Sequence, residues 1–410
     1  MGAPAARVSE LSRHWVESGH DVTVLTGFPN HPDGVIRPEY RKHFRRGIFR
    51  ERINGIDVVR SWLLPFPNRK PLERILNYGS FCASASLTGS SLSRPDVVIA
   101  TSPQLLVGLA GWWVAKLKGV PFVLEVRDLW PESLAAVGVG GANSMLHRSI
   151  GRLAAFLYRR ADQIVVVTPA FRERLMRDWQ VPAEKLSLVQ NGVETALFSP
   201  RHADPQLRSE LSAGNKFVVS FIGTLGLAHG LETLIDAAER LHREAPDVSF
   251  MILGEGADRR RIVDLARSRR LNNVRFIPQQ PRERIPAYIC ASDACLVLLR
   301  KSEVFETVVP TKMLEFMSCA RPVILGVKGQ AQQILEDARG GICVDPGNAE
   351  TLCAAILRLR RNEPLQNELG RNGREYIVQR LSRERTAADY LEVLNAVLGE
   401  DCAAKSVSAA

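Results

Sequence analysis

Lys312 and Glu315 stand three residues apart in Pro310-Thr-Lys-Met-Leu-Glu315. On a helix that spacing puts both side chains on one face. Pro310 suits the first helical turn, where a missing N–H costs nothing. A helix N-terminus carries partial positive charge, so an ammonium and a carboxylate placed there could read an anion and a hydroxyl. The plainer reading is a solvated ion pair on an amphipathic surface helix. Glu303 to Val309 reads as loop, Arg321-Pro322 ends the helix, and Val323-Ile-Leu325 is an apolar run fit for a parallel strand.

Similar chemistry recurs where other apolar runs end. Gly223-Thr224-Leu225-Gly226 opens a loop that runs to Gly230 and follows the run Phe217 to Ile222. Gly254-Glu255-Gly256 follows Val248 to Leu253, and Arg300-Lys301 follows Ala294 to Leu299. Glycines let backbone N–H groups approach a pyrophosphate, Arg and Lys offer phosphate partners, and a carboxylate can hold ribose hydroxyls. Each loop alone could equally be a tight turn. In the first half, Glu125, Arg127, Asp128 and Glu132 crowd one strand end. They suit acid/base or substrate-hydroxyl work as well as plain salt bridges.

The elements that would position these groups alternate strand and helix, which implies parallel sheets covered on both faces. Residues 1–193 form a first α/β half, with residues 29–52 as a long loop rich in Pro, Gly and Arg. Residues 194–215 read as a linker, and 216–380 as a second α/β half. A last helix over 381–400 is expected to pack back on the first half, and 401–410 form a polar, disordered tail. The fold class is therefore two Rossmann-like, doubly wound domains, with loops at the carboxyl ends of the strands directed into a cleft. The chain opens on a helix, where a doubly wound fold should open on a strand.

The totals bound the function. The 410 residues carry 54 Lys+Arg against 44 Asp+Glu, a net charge of +10, which suits an anionic partner. Seven cysteines stand singly in sequence, without zinc spacing, as in a reducing cytoplasm. The apolar run Leu105 to Ala115 is too short to span a bilayer, which takes about 20 residues. It reads as a buried helix, although Trp112-Trp113 with Lys116 and Lys118 could touch an interface. Arg41 to Arg46 is a basic cluster with Phe44 inside it, read either as a docking site for anionic lipid or phosphate or as a solvated loop. No nucleic-acid module is recognisable.

Taken in order, these fragments resemble the family 4 retaining glycosyltransferases of GT-B architecture, over essentially the whole chain. The resemblance is carried by Gly19 to Thr26, Asn191-Gly-Val-Glu194 with Phe198, Gly223 to Gly230, Gly254 to Gly256, Asn273 to Phe276, Ala291-Ser-Asp293 and Pro310 to Glu315. Gly2 to Arg7, Glu125 to Ser133 and Gly223 to Leu231 further resemble the branch of L-fucosamine (N-acetyl-fucosamine) transferases of surface-polysaccharide and O-antigen assembly. The resemblance implies a nucleotide-sugar donor, UDP-linked and carrying an N-acetyl-amino-deoxyhexose, in the second half. It implies a polyprenyl-diphosphate-linked glycan acceptor in the first half, transfer with retention, and neither metal nor cofactor. Gly2, Gly223, Thr224, Leu225, Gly226, Glu255, Phe276, Ile277, Arg300, Lys301, Lys312 and Glu315 would bind donor. Asp128, Arg127 and Lys312 would be catalytic. The setting would be the inner face of the cytoplasmic membrane, with an anionic membrane surface as partner.

Departures from the family pattern matter. Thr224 and His229 stand where an Arg and a Lys are usual, Thr307 stands where a Glu is usual with Glu306 one place off, and Arg127 replaces a His. Relatives also have a strand before the Gly2 to Arg7 stretch, from which either a misassigned start or a truncated chain is expected. The readings that compete with transfer are a non-catalytic nucleotide-sugar-binding or scaffold protein and a GT-B UDP-sugar epimerase.

Overall fold

The structure is a computed structural model that describes residues 3–30, 34–67, 71–130, 145–210, 214 and 216–399. Contacts divide the chain into two units. The N-terminal unit holds Ala6–Gln190 and the chain from Ala387 onward, and the C-terminal unit holds Asn191–Thr386 with the first residues of the chain.

The C-terminal unit is built on six strands: β8 (Phe217–Ile222), β9 (Val248–Leu253), β10 (Val274–Ile277), β11 (Ala294–Leu298), β12 (Val323–Gly326) and β13 (Gly341–Cys343). All pair in parallel in the order β10-β9-β8-β11-β12-β13. Strand periodicity explains why both faces are covered. Val218 and Ile222 of β8 enter one apolar cluster, while Phe217, Val219 and Phe221 enter the cluster on the other face. Each fully buried side chain of this size contributes about 1.5–3 kcal/mol. The chain leaves β8 to one side of the sheet and reaches β11 from the other, so the order reverses between these paired strands. The loops that follow β8 and β11 therefore diverge and leave a crevice at the strand ends.

In the N-terminal unit the described strands form two sheets. The first is β1 (Thr23–Gly27), β3 (Ile56–Ser61) and β2 (Ile48–Ile53) in the order β1-β3-β2. The second runs β4 (Val98–Thr101), β5 (Phe122–Val126), β6 (Gln163–Val166) and β7 (Leu186–Leu188), all parallel. β2 pairs antiparallel to β3. Residues 29–52 are therefore not simply a loop, since they contain a short helix, α2 (Arg41–Phe44), and β2. The signal was Asn54-Gly55: both take positive φ, 51° and 81°, the two-residue turn whose twist matches a hairpin.

The helices of this unit are α1 (Ala3–Glu17), α3 (Pro71–Ser91), α4 (Leu105–Lys118), α5 (Met145–Arg160) and α6 (Pro169–Trp179). α4 stops at Gly119, which takes the left-handed conformation that suits a helix end. Among the described residues no helix is long and apolar enough to cross a membrane.

Between the halves, residues 194–210 are anchored rather than free. Phe198 is fully buried in the C-terminal unit, and α7 (Pro205–Glu210) is tied to Asp293 through Arg208 at 3.3 Å. The closing helix (Arg383–Leu398) sets Tyr390 edge-on to Trp15, ring centres 5.2 Å apart, and Trp15 Nε1 donates to the Ala387 carbonyl.

Candidate functional site

The residues singled out in the second half gather where the strand order reverses. After β8 the loop turns at Gly223, whose φ of +139° excludes most side chains. It closes at Gly230, ahead of helix α8 (Glu232–Glu244), which α9 (Arg259–Ser268) and α10 (Ile285–Cys290) follow in the chain. A second glycine loop, at Gly254 to Gly256, lies directly on it. Leu225 N–H donates to the Glu255 carbonyl, and Asp258 N–H donates to the Leu225 carbonyl, both at 2.9 Å. The contact is backbone on backbone: a Cβ on Gly254 would fall 1.9 Å from the Gly223 oxygen. Gly254→Ala should therefore displace the loop and cost roughly 1–3 kcal/mol in strain. Nucleotide affinity and the thermal midpoint of this variant are expected to fall together.

Lys312 reaches this loop from the first turn of α12 (Thr311–Ser318), after the short helix α11 (Glu303–Glu306) that replaces the expected loop. Its Nζ is buried and has no hydrogen-bond partner among the described residues. It sits 3.8 Å from the centre of the Phe221 ring, and a Cβ on Gly223 would meet it at 3.3 Å. Burial pulls the Lys312 ammonium down to about 7, against the opposing charge of Glu315. His229 stands beside it, edge-on to Phe221, with Nδ1 3.1 Å from the Leu298 carbonyl. Burial, then the charge of Lys312, lowers His229 to about 4, so it is neutral at pH 7. A neutral ring with Nδ1–H donating to that carbonyl leaves Nε2 as an acceptor.

The structure distinguishes among the other expected donor residues. Glu315 shares the α12 face with Lys312 and accepts a hydrogen bond from Arg282 at 3.1 Å. Thr224 is exposed beside Gly226, while Leu225 points into the core. The Leu225 side chain fills the core, and its N–H is engaged by the Glu255 carbonyl. Ile277 is likewise buried, and Phe276 packs partly against the core at the end of β10. The Arg300 guanidinium is held by Glu232 at 2.7 Å, which blunts its charge. Lys301 lies apart, on a depression of about 390 Å³ that also includes Lys328 and Asp345, themselves paired at 3.4 Å. Glu255 pairs with Arg259 at 3.3 Å. Gly2 and Glu132 lie outside the described residues.

The N-terminal unit has its own buried ionic cluster at the ends of β4 and β5. Arg7, fully buried, donates from Nε to Glu125 Oε1 at 2.9 Å, from Nη1 to the Gln190 carbonyl and from Nη2 to the Val189 carbonyl. Thr101 donates to the other Glu125 oxygen at 2.5 Å. Burial opposes the Glu125 charge, but Arg7, Arg127 and Thr101 outweigh it and hold the carboxyl below its usual value. Beside them, burial raises Asp128 to about 6 against the charge of Arg127. The Ser102 hydroxyl accepts from the Arg127 N–H at 2.7 Å and orients this corner. A carboxyl that titrates near neutrality suits proton transfer. Sequence reasoning placed Arg7 only in a fragment of resemblance. Its burial could have been inferred from an arginine inside the apolar face of α1.

Comparison with known proteins follows the same division. Residues 2–192 match the glycosyl transferase 4-like domain, and residues 203–376 match the glycosyl transferases group 1. The chain is 26% identical to WcaI of Escherichia coli K12, assigned to colanic acid biosynthesis as a glycosyl transferase, over 93% of each chain. It is 28% identical to WbjE of Pseudomonas aeruginosa, assigned as a glycosyltransferase, over 71% of this chain and 74% of that one. In fold it is similar to sucrose-phosphate synthase of Thermosynechococcus elongatus, with a TM-score of 0.78, 20% identity and coverage of 98% and 94%. It is also similar to Anabaena HepE, solved with UDP and glucose, with a TM-score of 0.70, 18% identity and 96% of each chain covered. At these identities the likeness speaks for the fold, which is GT-B.

Proposed function

Residues 2–192 belong to the glycosyl transferase 4-like domains and residues 203–376 to the group 1 glycosyl transferases, and from that premise we propose that this glycosyltransferase draws its sugar from a UDP-linked donor held in the C-terminal unit. The observation that carries the reading is the buried Lys312 Nζ against the Gly223 loop, with no hydrogen-bond partner among the described residues. A buried ammonium without a partner is costly, and a diphosphate at that point would supply the missing charge. In this reading Thr224 and Gly226 present the loop backbone to the phosphates, Glu315 holds ribose hydroxyls, and Phe276 flanks the base. Lys312 and the α12 N-terminus stabilise the departing diphosphate, so no metal or cofactor is invoked. HepE, bound to UDP, lends support as a structural relative.

The finer reading is transfer, with retention, of an N-acetyl-amino-deoxyhexose to a lipid-linked glycan at the cytoplasmic membrane face during surface-polysaccharide assembly. The assignments of WcaI and WbjE and the fragments at Glu125 and Gly223 support it. Asp128 then serves in proton transfer, with Arg127 beside it. Turnover of a panel of UDP- and GDP-sugars tests the proposal. Turnover confined to UDP-sugars supports it. UDP-sugar binding without turnover would point to a scaffold, and interconversion of the donor sugar to an epimerase.

A proton linkage follows. Above about 7 the free Lys312 is neutral, whereas a bound diphosphate requires the ammonium, so binding takes up a proton. UDP affinity is expected to fall with rising pH, by up to about tenfold for each unit above neutrality. Calorimetry in buffers of different ionisation enthalpy checks this, and proton uptake should vanish in Lys312→Met. The same shift has the opposite sign for folding of the free protein. Between about 7 and the ordinary 10.5 the unfolded chain holds a proton that the native one has lost, so stability rises with pH.

A further inference from the structure

The charge of this chain is not spread evenly. Residues 41–118 contain thirteen Lys+Arg against four Asp+Glu, a net of +9, while the molecule as a whole carries +10. The same span exposes large apolar side chains. On α3, Leu72, Ile75, Leu76, Gly79, Ala83 and Leu87 fall within an arc of about 120° at 100° per residue. Opposite them, Asn77, Ala85, Thr88 and Gly89 are buried. On α4, Leu106, Leu109, Trp113, Lys116 and Leu117 share one face, and Gly108, Ala110, Val114 and Ala115 are buried. Leu72, Ile75, Leu87, Trp113 and Leu117 are between 48% and 75% exposed. An ordinary surface helix turns its apolar face inward. These two turn a second one outward.

The pieces form one continuous surface. α3 packs against α4, where a Cβ on Gly89 would lie 2.7 Å from Val114. Lys118 Nζ donates to the Ser90 and Leu92 carbonyls at the end of α3. On the other flank Asn77 Nδ2 donates to the Leu64 carbonyl and Leu64 N–H to Ser80 Oγ, while Ser84 Oγ donates to the Trp62 carbonyl. Phe44 of the basic helix α2 stacks on Trp62, rings tilted by 18°. Lys116 lies over the Trp112 ring at 5.2 Å. Apolar residues thus project with the basic helix α2 on one flank, Lys116 among them, and tryptophans beside both basic groups. That is how a protein seats itself in the headgroup layer of an anionic bilayer.

We propose that the outward face of α3 and α4, with α2 beside it, docks the N-terminal unit onto an anionic lipid bilayer. It deepens the reading above, since a lipid-linked acceptor would be met there, but its test does not depend on turnover. The full chain is floated with vesicles of phosphatidylcholine, with and without phosphatidylglycerol. Binding is expected only to the anionic vesicles, and salt should weaken it. Leu76→Ser with Leu87→Ser and Trp113→Ser should lower partitioning at least tenfold, as should Lys42→Glu with Arg46→Glu. Both variants should keep the wild-type thermal midpoint and UDP affinity. Wild type that stays unbound, floats equally with neutral vesicles, or is matched by the variants overturns the proposal. So does self-association that the serine variant abolishes without vesicles present, which would make the face a contact between copies. If vesicles bind but no UDP-sugar turns over, the transfer reading fails and the docking surface stands.

Discussion

Lys312→Met is expected to reduce kcat/KM for donor turnover on the order of 100- to 1,000-fold, the usual loss when one preorganised charge donor is removed from a developing anion. The fold should survive. Nζ makes no hydrogen bond to the described residues, and methionine fills the space beneath the Phe221 ring with an unbranched apolar chain. Removing a buried ammonium whose burial outweighs the charge of Glu315 should leave the free protein as stable as wild type or more so below neutral pH. Loss of activity together with unchanged or improved stability separates a ligand site from a structural lysine. A structural lysine would lose both. Arg300→Met provides the contrast: its guanidinium is already engaged by Glu232, so its removal should cost turnover much less.

The largest stability effect is expected at Glu125. Replacing it by alanine strands Arg7, which is fully buried and has its carboxylate partner at 2.8 Å. Removing one partner of a buried ion pair typically costs about 3–5 kcal/mol. In a domain of this size that lowers the N-terminal unfolding midpoint by roughly 10 °C. Arg7→Ala should cost a comparable amount. The informative variant is the double one, Arg7→Met with Glu125→Leu, which removes both charges and keeps the volume. It should recover most of the loss, because replacing both partners avoids an unpaired buried charge. If the double variant is as unstable as the singles summed, the cluster is held by its hydrogen bonds to the Val189 and Gln190 carbonyls rather than by the charge pair. The pH dependence should agree. Glu125, held below its usual range, contributes stability that is present above the ordinary carboxylate pKa and is lost as pH falls through the native value.

The sequence was most informative where local chemistry and periodicity coincide. Apolar runs followed by glycines located β8, β9 and their loops, and the spacing of Lys312 and Glu315 located α12 and the face it presents. Long-range contacts were not legible. Leu225 looked like a loop residue among glycines, yet its side chain belongs to the core, which no local pattern announces. Arg300 looked like a phosphate partner, but Glu232, far away in sequence, claims it. The hairpin at Asn54-Gly55 was readable from turn chemistry but lay at the edge of an arginine-rich stretch that reads as loop. The apolar face of α3 was hidden for another reason. Periodicity reports that a helix has apolar residues on an arc, and only the fold shows which arc is turned away from the core.

The most direct measurement is the structure of the chain with UDP bound. The account predicts a phosphate oxygen within about 3 Å of Lys312 Nζ, as charge-assisted hydrogen bonds require, and the ribose beside Glu315. A diphosphate found elsewhere, for example between Lys301 and Lys328, with Lys312 still unpartnered, would contradict it.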